Sequence, residues 1–265
     1  MNCSLIITTY NWPEALELTL KTAVKQSVQP NEIIIADDGS AKDTKLLVNA
    51  FSKKTSVPIV HSWQEDDGFR LSKSRNFAIA KAKYEYVIVV DGDMLLHRDF
   101  IKDHKKCAKI SVYIQGSRAL LQPEFSKNIL RTKEIKWPSI FSNNVKNKLN
   151  SLRIPFLSAI LCKKYNKNMR RIRGCNFSLF KEDIIKINGF NEEFTTWGKE
   201  DSEFVQRLFN AGIYRRNLKF SALQYHLYHK EGSNNNNNNN ISILNNTIDN
   251  SLTWCKYGIN QYLEN

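Results

Sequence analysis

Two carboxylates one residue apart, Asp91 and Asp93, stand where an apolar, β-branched run stops: "KYEYVIVVDGDMLLHRDF" occupies positions 83–100. An unbroken apolar run of this kind reads as a strand buried on both faces, as in a parallel sheet. Side chains two apart share a face, so the two acids project to the same side at the strand's end. Gly92 between them leaves room for another backbone or a ligand. Carboxylates are rarely buried without a partner. Two hard oxygen ligands here suit a divalent cation that keeps positions open for phosphate oxygens. The plain alternative is a turn of solvated acids, because Asp and Gly are ordinary turn residues.

Other chemistry-bearing residues cluster along the chain. Asp37-Asp38-Gly39-Ser40 closes an earlier apolar run, and Arg75-Asn76 sits in the helical pattern before the Asp-Gly-Asp strand. Glu200-Asp201 opens a later helical pattern with Phe204, Leu208 and Phe209 on one side. An acid there could accept a proton from a hydroxyl. It could equally do no more than favour the helix N-terminus, worth about 0.3–1 kcal/mol. His61, His97 and His104 carry no functional expectation.

The elements that must position these residues alternate. "CSLIITTY", "EIIIADDGS", "VPIVHSW" and the strand before Asp91 are strand-like. The stretches between them are helical: Pro13 stands at one helix start, and "LSKSRNFAIAKAK" (71–83) has a serine as its N-cap. Strand and helix at this spacing predict βαβ units and a doubly wound, mostly parallel sheet with helices on both faces. Ligands of such sheets bind beyond the carboxyl ends of the strands. Positions 8–11, 37–40 and 91–93 therefore share one rim. The expected organisation is a βα half over 1–110, a second half of the same domain over 111–233, and a tail over 234–265. That tail starts in seven consecutive Asn (234–240), expected to be a mobile loop, and continues as helix from 241 to 263.

Composition narrows the classes. The formal net charge is +13, but positions 121–173 hold thirteen Lys or Arg against two acids, Glu124 and Glu134. The remainder is near balance, which argues against a nucleic-acid binder. Within that basic segment Phe141, Val145, Leu149, Leu152 and Phe156 recur at helical spacing, broken only by Pro155. The segment is open to two readings: an amphipathic helix on an anionic membrane surface, or a core-packed helix with a solvated basic face. Five cysteines without CxxC spacing fit a reducing cytosol. No leader is expected before the first strand, and no run of about 18–20 apolar residues could span a bilayer.

In combination, "IITTYN", Asp37-Asp38-Gly39-Ser40, Gly68-Phe69-Arg70 with Arg75-Asn76, and Asp91-Gly92-Asp93 resemble the family-2 glycosyltransferases of the GT-A nucleotide-diphospho-sugar transferase fold. Trp197-Gly198-Lys199-Glu200-Asp201 resembles the Trp-Gly-x-Glu-Asp segment of galactosyltransferase-like C-terminal regions. "QEDDGFRLSKSRNFAIAKAKYEYVIVVDGDM" is similar to chondroitin-polymerase-type, capsule and lipopolysaccharide transferases of bacteria. Thr-Tyr-Asn follows Thr8, where the family carries proline.

The resemblance implies roles. Thr9 and Tyr10 would flank the nucleotide base, Asp38 would bond the uracil edge with Asp37 nearby, and Arg75 would meet the base or diphosphate. Asp91 would lie near the ribose, and Asp93 would bind Mn2+ or Mg2+ on the diphosphate. Asp201 would be the general base, with Glu200 positioning the acceptor. Trp197 would form a sugar platform, although a lone Trp is usually buried. Gly174 and Asn176 would belong to a loop at the acceptor site. The family adds a metal-binding His from the region of His226 and His229. On a strand those two would face opposite ways, so only one is expected to serve.

The Gln-x-x-Arg-Trp segment of processive synthases is absent, which favours single addition over polymerisation. A phosphatase-like hydrolase would want Thr soon after Asp93, where "MLLH" stands. A pyrophosphorylase would want a Gly-rich loop near Ile6. A nucleotide-sugar or carbohydrate binder without transfer activity is the non-enzymatic rival. The reading carried forward is an inverting, metal-dependent glycosyltransferase using a nucleotide-diphosphate sugar, UDP-linked first, and a glycan or lipid-linked acceptor in cell-surface polysaccharide or lipopolysaccharide synthesis. It would be cytoplasmic, peripheral at the inner face of the plasma membrane.

Overall fold

The apolar runs become the inner strands of one sheet. The computed structural model describes residues 1–230 and 238–263. Its first half is β1 (Cys3–Thr9), α1 (Pro13–Ala23), β2 (Glu32–Asp37), α2 (Lys42–Ser52), β3 (Ile59–Trp63), α3 (Leu71–Ala80) and β4 (Tyr86–Asp91). β1 lies between β2 and β4, parallel to both, with Ile7 opposite Ile35 and Val90. β3 extends the parallel set beyond β2.

Alternate residues feed two cores. Ile7, Ile35, Ile88 and Val90 pack with Leu16 and Leu20 of α1 and Val48 of α2. Ile6, Ile34, Val87 and Val89 pack with Ala78 and Ile79 of α3 on the other side. These strands lack a polar face because both faces are covered. Fully burying each such side chain contributes about 1.5–3 kcal/mol. Arg70, not a serine, takes the N-cap of α3, with no side-chain capping bond.

The second half is less regular: β5 (Met94–Leu96), α4 (Phe100–Cys107), β6 (Val112–Gln115), β7 (Ala119–Leu121), α5 (Pro123–Thr132), β8 (Val145–Lys146), α6 (Pro155–Leu161), β9 (Tyr165–Asn166), β10 (Asn176–Phe180), α7 (Lys181–Lys186), α8 (Glu200–Asn210), β11 (Tyr214–Asn217), β12 (Gln224–His226) and α9 (Asn238–Asp249). The main sheet runs β3-β2-β1-β4-β10-β6-β11-β9. β10 enters antiparallel to both β4 and β6, so the large sheet is α/β and mostly parallel with an antiparallel insertion. A smaller sheet, β5-β12-β7-β8, sits directly after the Asp-Gly-Asp turn.

The basic segment is not one amphipathic helix. It divides into α5, β8, a 3-10 turn over Lys148–Ser151, α6 and β9. Pro155 starts α6 rather than interrupting a longer helix. Val145 is buried, while Phe141 and Phe156 are 87% and 79% exposed, so the helical stripe does not exist as a surface.

The tail also departs from expectation. Asn234 to Asn237 lie outside the described residues, but Asn238, Asn239 and Asn240 open α9 and are no loop. α9 stops at Asp249, and only a 3-10 turn over Ile259–Tyr262 follows. Among the described residues no helix is long and apolar enough to cross a membrane. None of the five cysteines is in a disulfide.

Candidate active site

The carboxyl ends of β1, β2 and β4 open onto a cavity of about 590 Å³, whose lining includes Thr9, Tyr10, Asp38, Arg75, Asp91, Asp93, Gly174, Trp197, Glu200, Asp201 and His229. Gly92 is required where it stands: a Cβ there would come within 2.6 Å of the Thr8 carbonyl oxygen on β1. Thr8 in turn donates its hydroxyl to Asp91 Oδ1 at 3.0 Å.

Arg75 on α3 is wholly buried and forms part of the cavity wall. Its Nη1 donates to Asp201 Oδ1 at 2.8 Å, and Nη2 lies 3.7 Å from Asp91 Oδ1. One guanidinium thus links the Asp-Gly-Asp strand to the start of α8. Asp201 Oδ2 accepts the Gly174 N–H at 2.6 Å. The loop before α8 reaches the helix through Lys199 at φ 75°, and the Gly198 N–H donates to Glu200 Oε2 at 2.8 Å. Burial, and then the like charge of Asp201, push the Glu200 carboxyl up to about 7.

At the other end, β12 pairs with β5 so that His226 faces Met94, and the Leu227 N–H donates to the Asp93 carbonyl at 3.0 Å. His226 Nε2 comes to 3.1 Å and His229 Nε2 to 3.3 Å from the same Asp93 Oδ2. Strand alternation would separate the two rings, but β12 ends at His226 and the chain bends back to bring His229 alongside. Burial opposes ionisation of Asp93, yet the two imidazoles outweigh it and hold the carboxyl well below the usual range. The contact with Asp93 raises the His229 pKa. Ligand atoms of Asp93, His226 and His229 lie within 4.8 Å of one another. Asp93 Oδ1 is buried with no hydrogen-bond partner among the described residues, the condition of a carboxylate oxygen that still lacks a ligand.

The pattern of glycosyl transferase family 2 matches residues 4–170. The chain belongs to glycosyl transferase family 2. A second pattern, the N-terminal domain of galactosyltransferase, matches residues 155–230, the stretch that supplies Gly174, Asp201 and both histidines. The chain is 30% identical over 239 residues to chondroitin synthase of Escherichia coli, which covers 84% of this chain and 34% of that protein; the chain therefore spans about a third of that relative's length. Two solved structures show the same fold. Staphylococcus aureus TarS in complex with UDP-GlcNAc has a TM-score of 0.59 at 18% identity, covering 88% of this chain and 60% of that one. The mannosyltransferase PcManGT of Pyrobaculum calidifontis in complex with GDP-Man and Mn2+ has a TM-score of 0.58 at 19% identity, covering 87% and 58%.

Within this family-2 chain three expected site residues stand apart from the cavity lining. Asp37 turns back into the protein, accepting the Ser40 N–H at 2.8 Å and meeting His61 Nε2 at 2.7 Å. It fixes the turn that presents Asp38. Asn176 is buried on β10 and holds His104 Nε2, the Ser117 carbonyl and the Ala222 carbonyl, which leaves no polar group for an acceptor. His226 touches Asp93 from behind the lining. Arg75 borders the cavity, but its polar partners are carboxylates of the protein.

Asp38 accepts Gln64 Nε2 at 2.6 Å and the Arg70 N–H at 3.0 Å, and burial pushes its carboxyl up to about 6. Trp197 is 57% exposed over the cavity, not buried as a lone Trp usually is. Phe69, of the Gly68-Phe69-Arg70 motif, lines it too, and so do Arg118, Arg173 and Trp12, to which the sequence assigns no role. Arg173 had a signal, the dense positive charge of its segment, but charge density says nothing about which cation turns inward.

Proposed function

We propose that this family-2 chain transfers a sugar from a nucleotide-diphosphate donor, a UDP-sugar foremost, to a hydroxyl of a glycan or lipid-linked acceptor in cell-surface polysaccharide or lipopolysaccharide synthesis, inverting the anomeric centre. The observation that carries the reading is Asp201, held by both oxygens through Arg75 and the Gly174 N–H, lining the same cavity as Asp91 and Asp93, with Arg75 between it and Asp91. A carboxylate offers about four lone-pair directions, so Asp201 keeps acceptor capacity toward the cavity. There it takes the proton of the acceptor hydroxyl as that oxygen attacks the anomeric carbon. The bond to the diphosphate breaks in the same displacement, and its electron pair leaves with the nucleoside diphosphate. No enzyme nucleophile intervenes, so configuration inverts.

Thr9 and Tyr10 would flank the base, and Asp38 would accept from the uracil ring N–H. Glu200 and Trp197 would orient the acceptor sugar, with Gly174 admitting it near Asp201. Arg75 is a positioning residue that sets Asp91 and Asp201 relative to each other. Asp93, His226 and His229 would hold a divalent cation, whose charge would neutralise the diphosphate leaving group. Two imidazoles beside one carboxylate suit Mn2+ better than Mg2+. PcManGT, seen with Mn2+, and TarS, seen with UDP-GlcNAc, support this choice by likeness of fold.

Thermal unfolding with UDP-sugars, in Mn2+ and in EDTA, tests the donor. A ligand at a hundred times its Kd stabilises by about 2.7 kcal/mol, so a metal-dependent shift is expected. Asp201→Asn should keep that shift and lose transfer. Full turnover by Asp201→Asn, or a product of retained configuration, would remove the mechanism.

The same proposal places the chain on the cytoplasmic side of an anionic membrane, with exposed Phe141 and Phe156 entering its interface among the basic residues. Phe141→Ser with Phe156→Ser should reduce cosedimentation with anionic vesicles. Unchanged sedimentation would return the segment to a solvated surface.

A further inference from the structure

A second cavity, of about 1170 Å³, adjoins the first and, among the described residues, shares only Arg173 with its lining. Lys148, Lys164 and Lys219 line it together with Arg170, Arg171, Arg173 and Arg215, and among the described residues no Asp or Glu does. Among the described residues none of these cations forms an ion pair with a carboxylate. A solvated basic face is convex and spreads its charges into water. This one is recessed, and a cleft lined by one sign of charge concentrates its field and draws in counter-charge.

The wall is built, not incidental. Arg215, 5% exposed on β11, donates through Nη1 to the Asn168 and Arg170 carbonyls at 2.7 and 2.9 Å. Those bonds fold the 168–171 loop over the cavity. Its Nε is buried with no partner among the described residues, an orphan donor that an anionic oxygen would satisfy. Arg173 is fixed by Gln115, which accepts the Arg173 N–H at 3.2 Å and donates to its carbonyl at 3.0 Å. Burial, then the like charges of Arg118 and Arg171, hold the Arg173 guanidinium below its ordinary pKa. The cluster is therefore mutually repulsive until an anion arrives.

We propose that this second cavity binds the acidic groups, carboxylate or phosphate, of the acceptor glycan, and that Arg173 marks where the glycan passes from it toward Asp201. The assignment rests on the reading above, in which Asp201 faces the acceptor hydroxyl. The donor diphosphate is not the occupant, because Asp91, Asp93 and both histidines stand outside this cavity. Guanidinium groups recognise carboxylate and phosphate alike through paired N–H donors, so the two anion types share one chemistry here.

Equilibrium binding by the full chain, without nucleotide or metal, separates the outcomes. The probes are three fluorescent oligosaccharides of equal length: one of alternating uronic acid and N-acetylhexosamine, one of units joined by phosphodiesters, and one neutral. At least one acidic probe should bind about tenfold tighter than the neutral one, and which one binds names the anion. Lys148→Glu, Lys164→Glu and Lys219→Glu together should erase that preference while leaving UDP binding in Mn2+ unchanged. These three side chains are exposed, so the variant should fold, which its melting temperature checks. Equal binding of acidic and neutral probes, or an undiminished preference in the triple variant, overturns the proposal. Acidic binding without any nucleotide binding would instead overturn the donor reading and leave this cavity standing.

Discussion

Arg75 on α3 and Asp201 on α8, 126 positions apart in sequence, are joined by a 2.8 Å hydrogen bond between a wholly buried guanidinium and a carboxylate that lines the cavity. Phe190 backs the guanidinium, its ring centroid 5.0 Å from Cζ. The bond joins the half of the chain that carries Asp91 to the half that carries Asp201.

Gly174→Ala tests how tightly that junction is set. A Cβ at position 174 would fall 2.4 Å from both Arg75 Nη2 and Asp201 Oδ1. The substitution must displace the pair, and misplacement by about 1 Å costs on the order of a hundredfold in rate. The expected result is a loss of kcat of that order with UDP affinity within about twofold of the parent. An undiminished kcat would mean that Asp201 does not act from this position.

Glu200 predicts a pH dependence of stability. Its folded pKa of about 7 lies above the ordinary 4.5, so the folded state holds the proton more tightly. That contribution is complete below the ordinary value and is lost as pH rises through about 7. Asp38, at about 6, acts in the same direction. Between about pH 5 and pH 7.5 the parent should lose roughly 2–3 kcal/mol more than Glu200→Gln. Urea unfolding across that range measures it, and identical slopes would show that Glu200 is not shifted.

For the cation site, Mn2+ titration followed by electron paramagnetic resonance should show His226→Ala and His229→Ala each weakening binding by roughly tenfold or more. Asp93→Ala should abolish it. Single-histidine variants that bind as the parent does would leave these residues as an ordinary ion-paired cluster.

Asn240 on α9 donates to the Thr196 and Gly198 carbonyls at 3.0 and 2.7 Å, pinning the loop that carries Trp197. Asn240→Ala removes the donor to both carbonyls and should cost about 1–3 kcal/mol. It should also raise the acceptor KM while sparing donor affinity. An unchanged KM would detach Trp197 from acceptor binding.

Strands β1, β2 and β4 were legible because burial on both faces leaves a continuous apolar run, and the same runs placed Asp38, Asp91 and Asp93 on one rim. β10 was not legible, because "NFSLF" finds its partners across long separations and nothing local records that it runs antiparallel to β4. Asp37 and Asn176 were read toward the cavity. Their direction is decided by His61 and His104, two residues that carried no expectation from sequence. For the histidine pair, strand alternation separates the rings only while the strand lasts, and β12 ends at His226. In the basic segment, regular spacing suggests a helix, but Val145 is buried while Phe141, Leu149 and Phe156 are exposed, so the stripe answers to no common surface.

The pairing of β12 with β5 fixes His226 opposite Met94, and a one-residue slip would present Tyr225 instead and turn the imidazole to the other face. Lengthening the connections around these two short strands costs little, since loop entropy grows only slowly with length. A single residue inserted within Met94–Leu96 or Gln224–His226 would dismantle the Asp93 cluster at once. Length can thus change in loops away from Asp93, whereas the number of residues within these six positions, and from His226 to His229, cannot.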